Sequence, residues 1–372
     1  MLHPQDIAEL APGILARESA DPESYPSETI AELFRAGMIA APLRSEDGGS
    51  GWSLAQTTEA VELVARASGS AALIVAMPLG VSGIYGADPD EIPPAHRDAW
   101  RAQVQAYAAD VAEGRLYAAV NSEKGAGGSL AAITTVAEKD ASGVFHITGD
   151  KILGTGGKFA HTFYSSAKVN AEDMPGAGIV EFFMLNSDAP GVTVKQDWDG
   201  FGMRSSESQS VRYDSAPARG ILGYPNFIAD FQPLALWFTL FAAVPLGCTG
   251  AILTELGKTP PTSPALRLHL SEAVMRYEAA RAYLLQVASE FRPAAGPAYG
   301  ARVMRAKTYV AQEMTKLAAE LFAFGGGSQY RRTGRAARAF ADSFAGTALR
   351  PPLVLALDSM LENFSLGELA PD

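Results

Sequence analysis

The chain has 372 residues, 48% of them hydrophobic and 19% charged, with a formal charge of -11 and a single cysteine, Cys248. That length supplies two or three domains with ample core, and the acidic balance speaks against nucleic acid or an anionic membrane as the main partner, since both demand basic surface. One cysteine leaves no disulfide framework and no thiolate metal cluster, which fits a reducing, cytoplasmic setting.

The first twenty residues carry Asp6, Glu9 and Glu18 and lack a long apolar run behind a basic start, so no signal peptide is expected. Residues 5–115 read as helices with short breaks. Ile30, Leu33, Phe34 and Met38 recur at helical spacing after an N-cap region at 26–28, and 43–52 is a loop by composition. A long helical pattern covers 54–76 and is expected to stop at Met77-Pro78; another covers 95–113 and ends at Gly114.

At Leu116 the period becomes alternating, with strand candidates at 133–138, 144–148, 163–168, 179–185, 192–196 and 209–213. Short strands with glycine-rich turns and no intervening helix favour a closed or sandwiched antiparallel β-domain. Helical patterns return at 231–256, 264–292 and 301–324, and a tail at 335–361 completes a bundle. The expected fold is therefore α+β and multidomain: an N-terminal α-helical domain (1–115), a central antiparallel β-barrel or sandwich (116–225) and a C-terminal helical bundle (226–372). Residues 231–254 contain no charge and imitate a membrane span, but Gln232, Pro233, Thr239, Pro245 and Thr249 interrupt them and no basic flanks mark a topology. A buried helix, without membrane insertion, is the expectation.

Two glycine-rich, hydroxyl-bearing loops, 121–129 and 149–157, stand out, because glycine lets backbone approach a flat ligand closely and tolerates positive φ. The run GTGGKF at 154–159 is not a phosphate loop: Ile152 stands where the earlier glycine is required and Phe159 replaces Ser or Thr. No G-x-G-x-x-G opens a helix, and the five histidines are scattered without ligand spacing, so neither a nicotinamide-binding unit nor a metal site is expected.

Domain order and loops together resemble the acyl-CoA dehydrogenase family over nearly the whole chain. NSEKGAGGS resembles the family's TEPGAGSD, TGDKILGTGG its NGxKxWITN, and DGFGMRSSESQSVRYDSAPA its GxRxSxxxxVxFxxVxVP; PLGCTGAIL is a further match. The resemblance implies a flavin, FAD with FMN as the alternative, lying against the β-domain. Carried over by position, Ala119, Asn121, Ser122 and Gly128 would line its ring and pyrophosphate side, and Leu153 and Thr155 would take the Trp and Thr places of the WIT element. Gly325 and Gly326 stand where the family approaches a partner subunit's FAD, so a homo-oligomer, dimer or tetramer, is implied.

The departures concern the base. Dehydrogenation of an acyl thioester removes an α-proton with a carboxylate while hydride leaves to the flavin. Matching the family's Tyr-Glu-Gly-Thr element to 344–347 puts Ala345 at the glutamate, counting from Asp342 puts Arg350 there, and the alternative position on the first bundle helix holds Trp237. The catalytic residue is thus unknown; Glu123, Asp342 and Glu362 are candidates that structural roles would equally explain. The segment after the first bundle helix, LGKTPPTSPALRLHL, also lacks the family's Arg-x-x-Phe-Gly element, and Arg331, Arg332, Arg335 and Arg338 could hold a phosphate or simply pair with surface acids. Three readings compete: a flavin-dependent oxidoreductase acting on an acyl-type substrate with altered chemistry, a monooxygenase using reduced flavin from a reductase, and a non-catalytic subunit of a catalytic paralogue.

Overall fold

The structure is a computed structural model and describes residues 2–258 and 262–362. The N-terminal part holds α1 (Pro4–Ala8), α2 (Ala11–Ala20), α3 (Ser27–Arg35), α4 (Leu54–Ala67), α5 (Gly69–Tyr85) and α6 (Arg97–Ala112). The single helix expected over 54–76 is two. Ser68 takes an extended conformation, ends α4, and caps α5 by accepting from the Ala71 N–H. Nor does Met77-Pro78 stop α5, which runs on to Tyr85. The proline removes one intrahelical donor, but α5 is buried along nearly its whole length, and packing holds the helix through the defect. The carbonyls beside the proline gain side-chain donors: Tyr107 Oη lies 2.7 Å from Pro78 O, and Trp237 Nε1 and Tyr164 Oη each lie 3.2 Å from Met77 O.

The central part is one curled sheet of β1 (Tyr117–Ala119), β2 (Val136–Lys139), β3 (Phe145–Gly154), β4 (Thr162–Val169), β5 (Val180–Asn186), β6 (Val192–Val194), β7 (Gln209–Pro217) and β8 (Gly220–Ile221). Its order is β6-β7-β3-β2-β4-β5-β8, with β1 also paired to β4. Most pairs are antiparallel, but β1 and β2 both run parallel to β4, so the sheet is mixed rather than purely antiparallel. They share one edge of β4, β1 beside Thr162–Tyr164 and β2 beside Lys168 and Val169. The chain between them, with the first glycine loop, must therefore leave the sheet halfway along β4. A strand buried on both faces accepts parallel neighbours, and β4 is buried at all but one position. The second glycine loop is shorter than expected, because residues up to Gly154 belong to β3. Gly149 is required there: a Cβ would meet Thr135 Oγ1 at 2.3 Å.

After α7 (Phe227–Phe231) come the bundle helices α8 (Leu234–Gly257), α9 (Pro264–Ser289) and α10 (Pro297–Phe324), then α11 (Gly326–Gln329), α12 (Arg335–Ser343), α13 (Ala345–Ala348) and α14 (Leu353–Glu362). The apolar α8 is long enough to cross a membrane, yet 89% of its apolar window is buried in the protein, packed against α4, α5, α10 and α12. Gly247 is what lets α4 approach, since a Cβ there would sit 2.3 Å from Glu62 O. Most of the buried side chains of all three parts form one continuous core.

Candidate active site

The first loop begins where β4 turns its hydroxyls toward it. The Ser166 N–H donates to Asn121 Oδ1 at 2.7 Å, which fixes Asn121 beside the sheet. Two residues on, Glu123 turns inward. One carboxylate oxygen accepts from the Thr134 N–H and hydroxyl at 2.6 and 2.8 Å, and the other from the Thr135 N–H and hydroxyl at 3.2 and 2.7 Å. Lys151, fully buried on β3, donates to the same carboxylate at 2.7 Å and to Ser166 O at 2.6 Å. These donors hold the Glu123 carboxyl down at about 2, outweighing its burial, while burial pushes Lys151 down to about 8 against the pull of Glu123. One ion pair thus locks the first loop to β3. Glu123 is structural and has no oxygen free for proton abstraction.

At the end of β3, Leu153 has φ 59°, a conformation disfavoured for a branched side chain, and is 47% exposed. It faces a cavity of about 300 Å³ between the sheet and the bundle. Ala119, Asn121, Ser122, Leu153 and Thr155 line one wall of it. Gly128 does not line it but stands behind it, its carbonyl accepting from Arg350. Gly325 and Gly326 lie apart, at the surface between α10 and α11, and the structure does not bring them to the other six.

The opposite wall carries the three residues that motif counting sets against the family's base. Trp237 and Phe241 come from α8, Ala345 from α13, and Arg350 from the turn that follows. Among the described lining residues Arg350 is the only charged one, and none is a carboxylate. Its guanidinium donates to Asn121 O at 3.1 Å and to Gly128 O, so it ties the bundle to the first loop. Burial pushes it down to about 10, which keeps it cationic at neutral pH.

A third side is a loop from Trp198 to Met203. A Cβ on Gly202 would meet Ala341 O at 2.3 Å, and the Met203 N–H donates to the buried Asp342 at 2.6 Å. Asp342 therefore faces away from the cavity and holds this loop. Phe201 at its tip is 68% exposed and meets Phe344 edge to face at the cavity mouth. Glu362 closes α14. Three of the four late arginines pair with acids: Arg332 with Glu23, Arg335 with Glu255, and Arg338 with Glu18. Residues 259–261 of the segment after α8 lie outside the described residues.

Sequence reasoning missed Lys151, Ser208 and Lys307. Thr155 Oγ1 lies 3.1 Å from Ser208 Oγ, which lies 2.7 Å from Ser206 Oγ, a chain of buried hydroxyls opening on the cavity at Thr155 and Ser208. A charged residue inside an alternating apolar stretch was the available signal for Lys151; Ser208 carried none.

Two family descriptions match this chain: the acyl-CoA dehydrogenase N-terminal domain over residues 7–87 and the acyl-CoA dehydrogenase middle domain over 118–216. The chain belongs to the acyl-CoA dehydrogenase family. Within that family, the probable acyl-CoA dehydrogenase YngJ of Bacillus subtilis is 24% identical over 327 residues, 83% of this chain and 82% of that protein. Butyryl-CoA dehydrogenase from Megasphaera elsdenii shares the fold at 20% identity and a TM-score of 0.78, covering 95% of this chain and 96% of its own. FMN-bound TdsC from Paenibacillus sp. A11-2, described as a dibenzothiophene monooxygenase, does so at 21% and 0.81, covering 99% and 98%. The fold is thus shared by a protein named as a dehydrogenase and one named as a monooxygenase, and does not by itself give the reaction.

Proposed function

We propose that the protein is a flavin-dependent oxygenase that takes reduced flavin, dioxygen and a neutral, apolar substrate. One observation carries this reading: Ala345, Arg350 and Trp237, the residues that counting from the family's motifs sets at the alternative base positions, all line the cavity, and no described lining residue is a carboxylate. Abstraction of an α-proton needs a base within hydrogen-bond reach. Oxygenation does not.

The residues fit a flavin. A flat heteroaromatic ring needs an apolar face and donors or acceptors at its rim; Leu153 offers the first, and Asn121, Ser122, Thr155 and Ser208 supply the second on the same wall. FAD, or FMN in its place, would be held there. When bound and reduced, the flavin supplies two electrons to dioxygen, so that one oxygen atom enters the substrate and the other leaves as water. The chain's own part is positional. Arg350 and Asn121 hold the first loop, and the Thr155–Ser208–Ser206 hydroxyls can take or give a proton at Thr155 Oγ1 by rotating their O–H bonds. Trp198, Phe241 and Phe344 give an apolar substrate a surface to bury. A reductase would supply the reduced flavin. A homo-oligomer would account for the exposure of Gly326 at the surface.

The test is to load purified protein with reduced FMN or FAD under anaerobic conditions, add indole as a neutral bicyclic probe, and admit air. Oxygen-dependent conversion of the probe, one per flavin oxidised, is expected. Anaerobic bleaching of oxidised flavin by an acyl-CoA would instead establish dehydrogenation, and failure to bind either flavin would leave only the non-catalytic subunit.

A further inference from the structure

The bundle wall of the cavity carries a positive charge that no described residue on that wall neutralises. Arg350 spends its two terminal nitrogens on backbone carbonyls, Asn121 O and Gly128 O, and on no carboxylate. The turn that presents it is fastened by a second cation. Lys307, 2% exposed on α10, donates to Gly346 O at 3.0 Å, Leu349 O at 2.7 Å and Pro351 O at 2.6 Å. The carbonyls on both sides of Arg350 are therefore anchored, and the guanidinium is held against the first loop rather than free to swing into solvent. Glu123, whose field reaches Arg350, is already bound by Lys151, Thr134 and Thr135. Lys151 is thus matched by Glu123, while among the described residues Arg350 and Lys307 have no carboxylate partner.

From this arrangement we infer that Arg350 is an electrostatic selector: it makes the cavity bind the anionic, reduced form of the flavin more tightly than the neutral, oxidised form. The inference rests on the oxygenase reading and adds to it the reason reduced flavin would be the form retained. An oxidised isoalloxazine ring is neutral, whereas the two-electron-reduced ring loses a proton near neutral pH and carries one negative charge. The phosphate of FMN is common to both forms, so its contribution cancels in their ratio. What is left is the ring charge against the charges of the wall, in a cavity whose apolar lining strengthens the interaction over its value in water.

The experiment compares Kd for oxidised and reduced FMN, the latter anaerobically, in wild type, R350K and R350Q. Wild type is expected to bind reduced FMN about tenfold more tightly, which corresponds to a two-electron potential about 30 mV above that of free FMN. R350K should keep that preference. R350Q removes the charge and should reduce the ratio to about twofold or less; any loosening of the loop acts on both redox forms alike and cancels in that ratio. A wild-type ratio retained in R350Q would overturn the inference and leave Arg350 as a fastener of the loop. So would a bound potential in wild type below that of free flavin, a readout that needs no variant to fold. Absence of binding in either redox state would instead sink the oxygenase reading beneath it.

Discussion

Each of the two walls of the cavity is built on a buried lysine, and the two are satisfied in opposite ways. Lys151, under the sheet wall, meets the Glu123 carboxylate, and the pair leaves no net charge beneath the two glycine-rich loops. Lys307, under the bundle wall, meets three backbone carbonyls and, among the described residues, no carboxylate. Burial pushes the first down to about 8 and the second further, to about 7, while the carbonyls favour the charged form of Lys307. The paired lysine sets two loops in register and is electrically silent at a distance. The carbonyl-bound lysine positions the turn that presents Arg350, and no described carboxylate cancels its charge. A cation can therefore shape this site through geometry alone or through geometry and field together, according to whether a carboxylate accompanies it.

Substitutions at the two lysines separate these cases. K151M strands a buried carboxylate, and breaking a buried pair in that way costs about 3–5 kcal/mol; urea denaturation should show the loss, with weaker flavin binding following from the released loop. K307M removes a buried charge and leaves carbonyls short of donors, for which about 1–3 kcal/mol is expected. If K307M proves as costly as K151M, the contrast between a paired and a carbonyl-bound lysine is wrong.

The smallest effect is expected at the seam between the walls, where Asp342 holds Met203. Burial raises its carboxyl to about 7, with Glu18 adding to the rise and Arg338 opposing it; Cys248, Arg66 and Arg335 line the same small cavity. A carboxyl raised in the folded state contributes stability that is complete below its unfolded value, near 3.8, and is lost as pH climbs through about 7. D342N still accepts from the Met203 N–H but does not titrate. Its Tm should match wild type near pH 4 and exceed it by a few degrees, about 2–4 °C, at pH 8. A Tm difference that stays constant across that range would show that Asp342 does not titrate in this window.

The amino-acid sequence by itself determined the order of helices, sheet and helices, because helical and alternating periods are local and each survives in a short window. Motif resemblance in the two glycine-rich stretches also picked out five residues that meet at one cavity, Ala119, Asn121, Ser122, Leu153 and Thr155. It named Trp237, Ala345 and Arg350 as empty base positions, and all three line that same cavity. Tertiary structure alone decided the rest. Pro78 sits inside a helix because burial outweighs one lost hydrogen bond, and β1 and β2 share an edge of β4 because the loop between them leaves the sheet. Glu123 meets Lys151, 28 residues away, and Lys307 meets the turn at 346–351, some 40 residues on. A periodic pattern says which face of an element is apolar. It does not say which distant charge will meet that face, and here those distant meetings fix the chemistry the cavity can do.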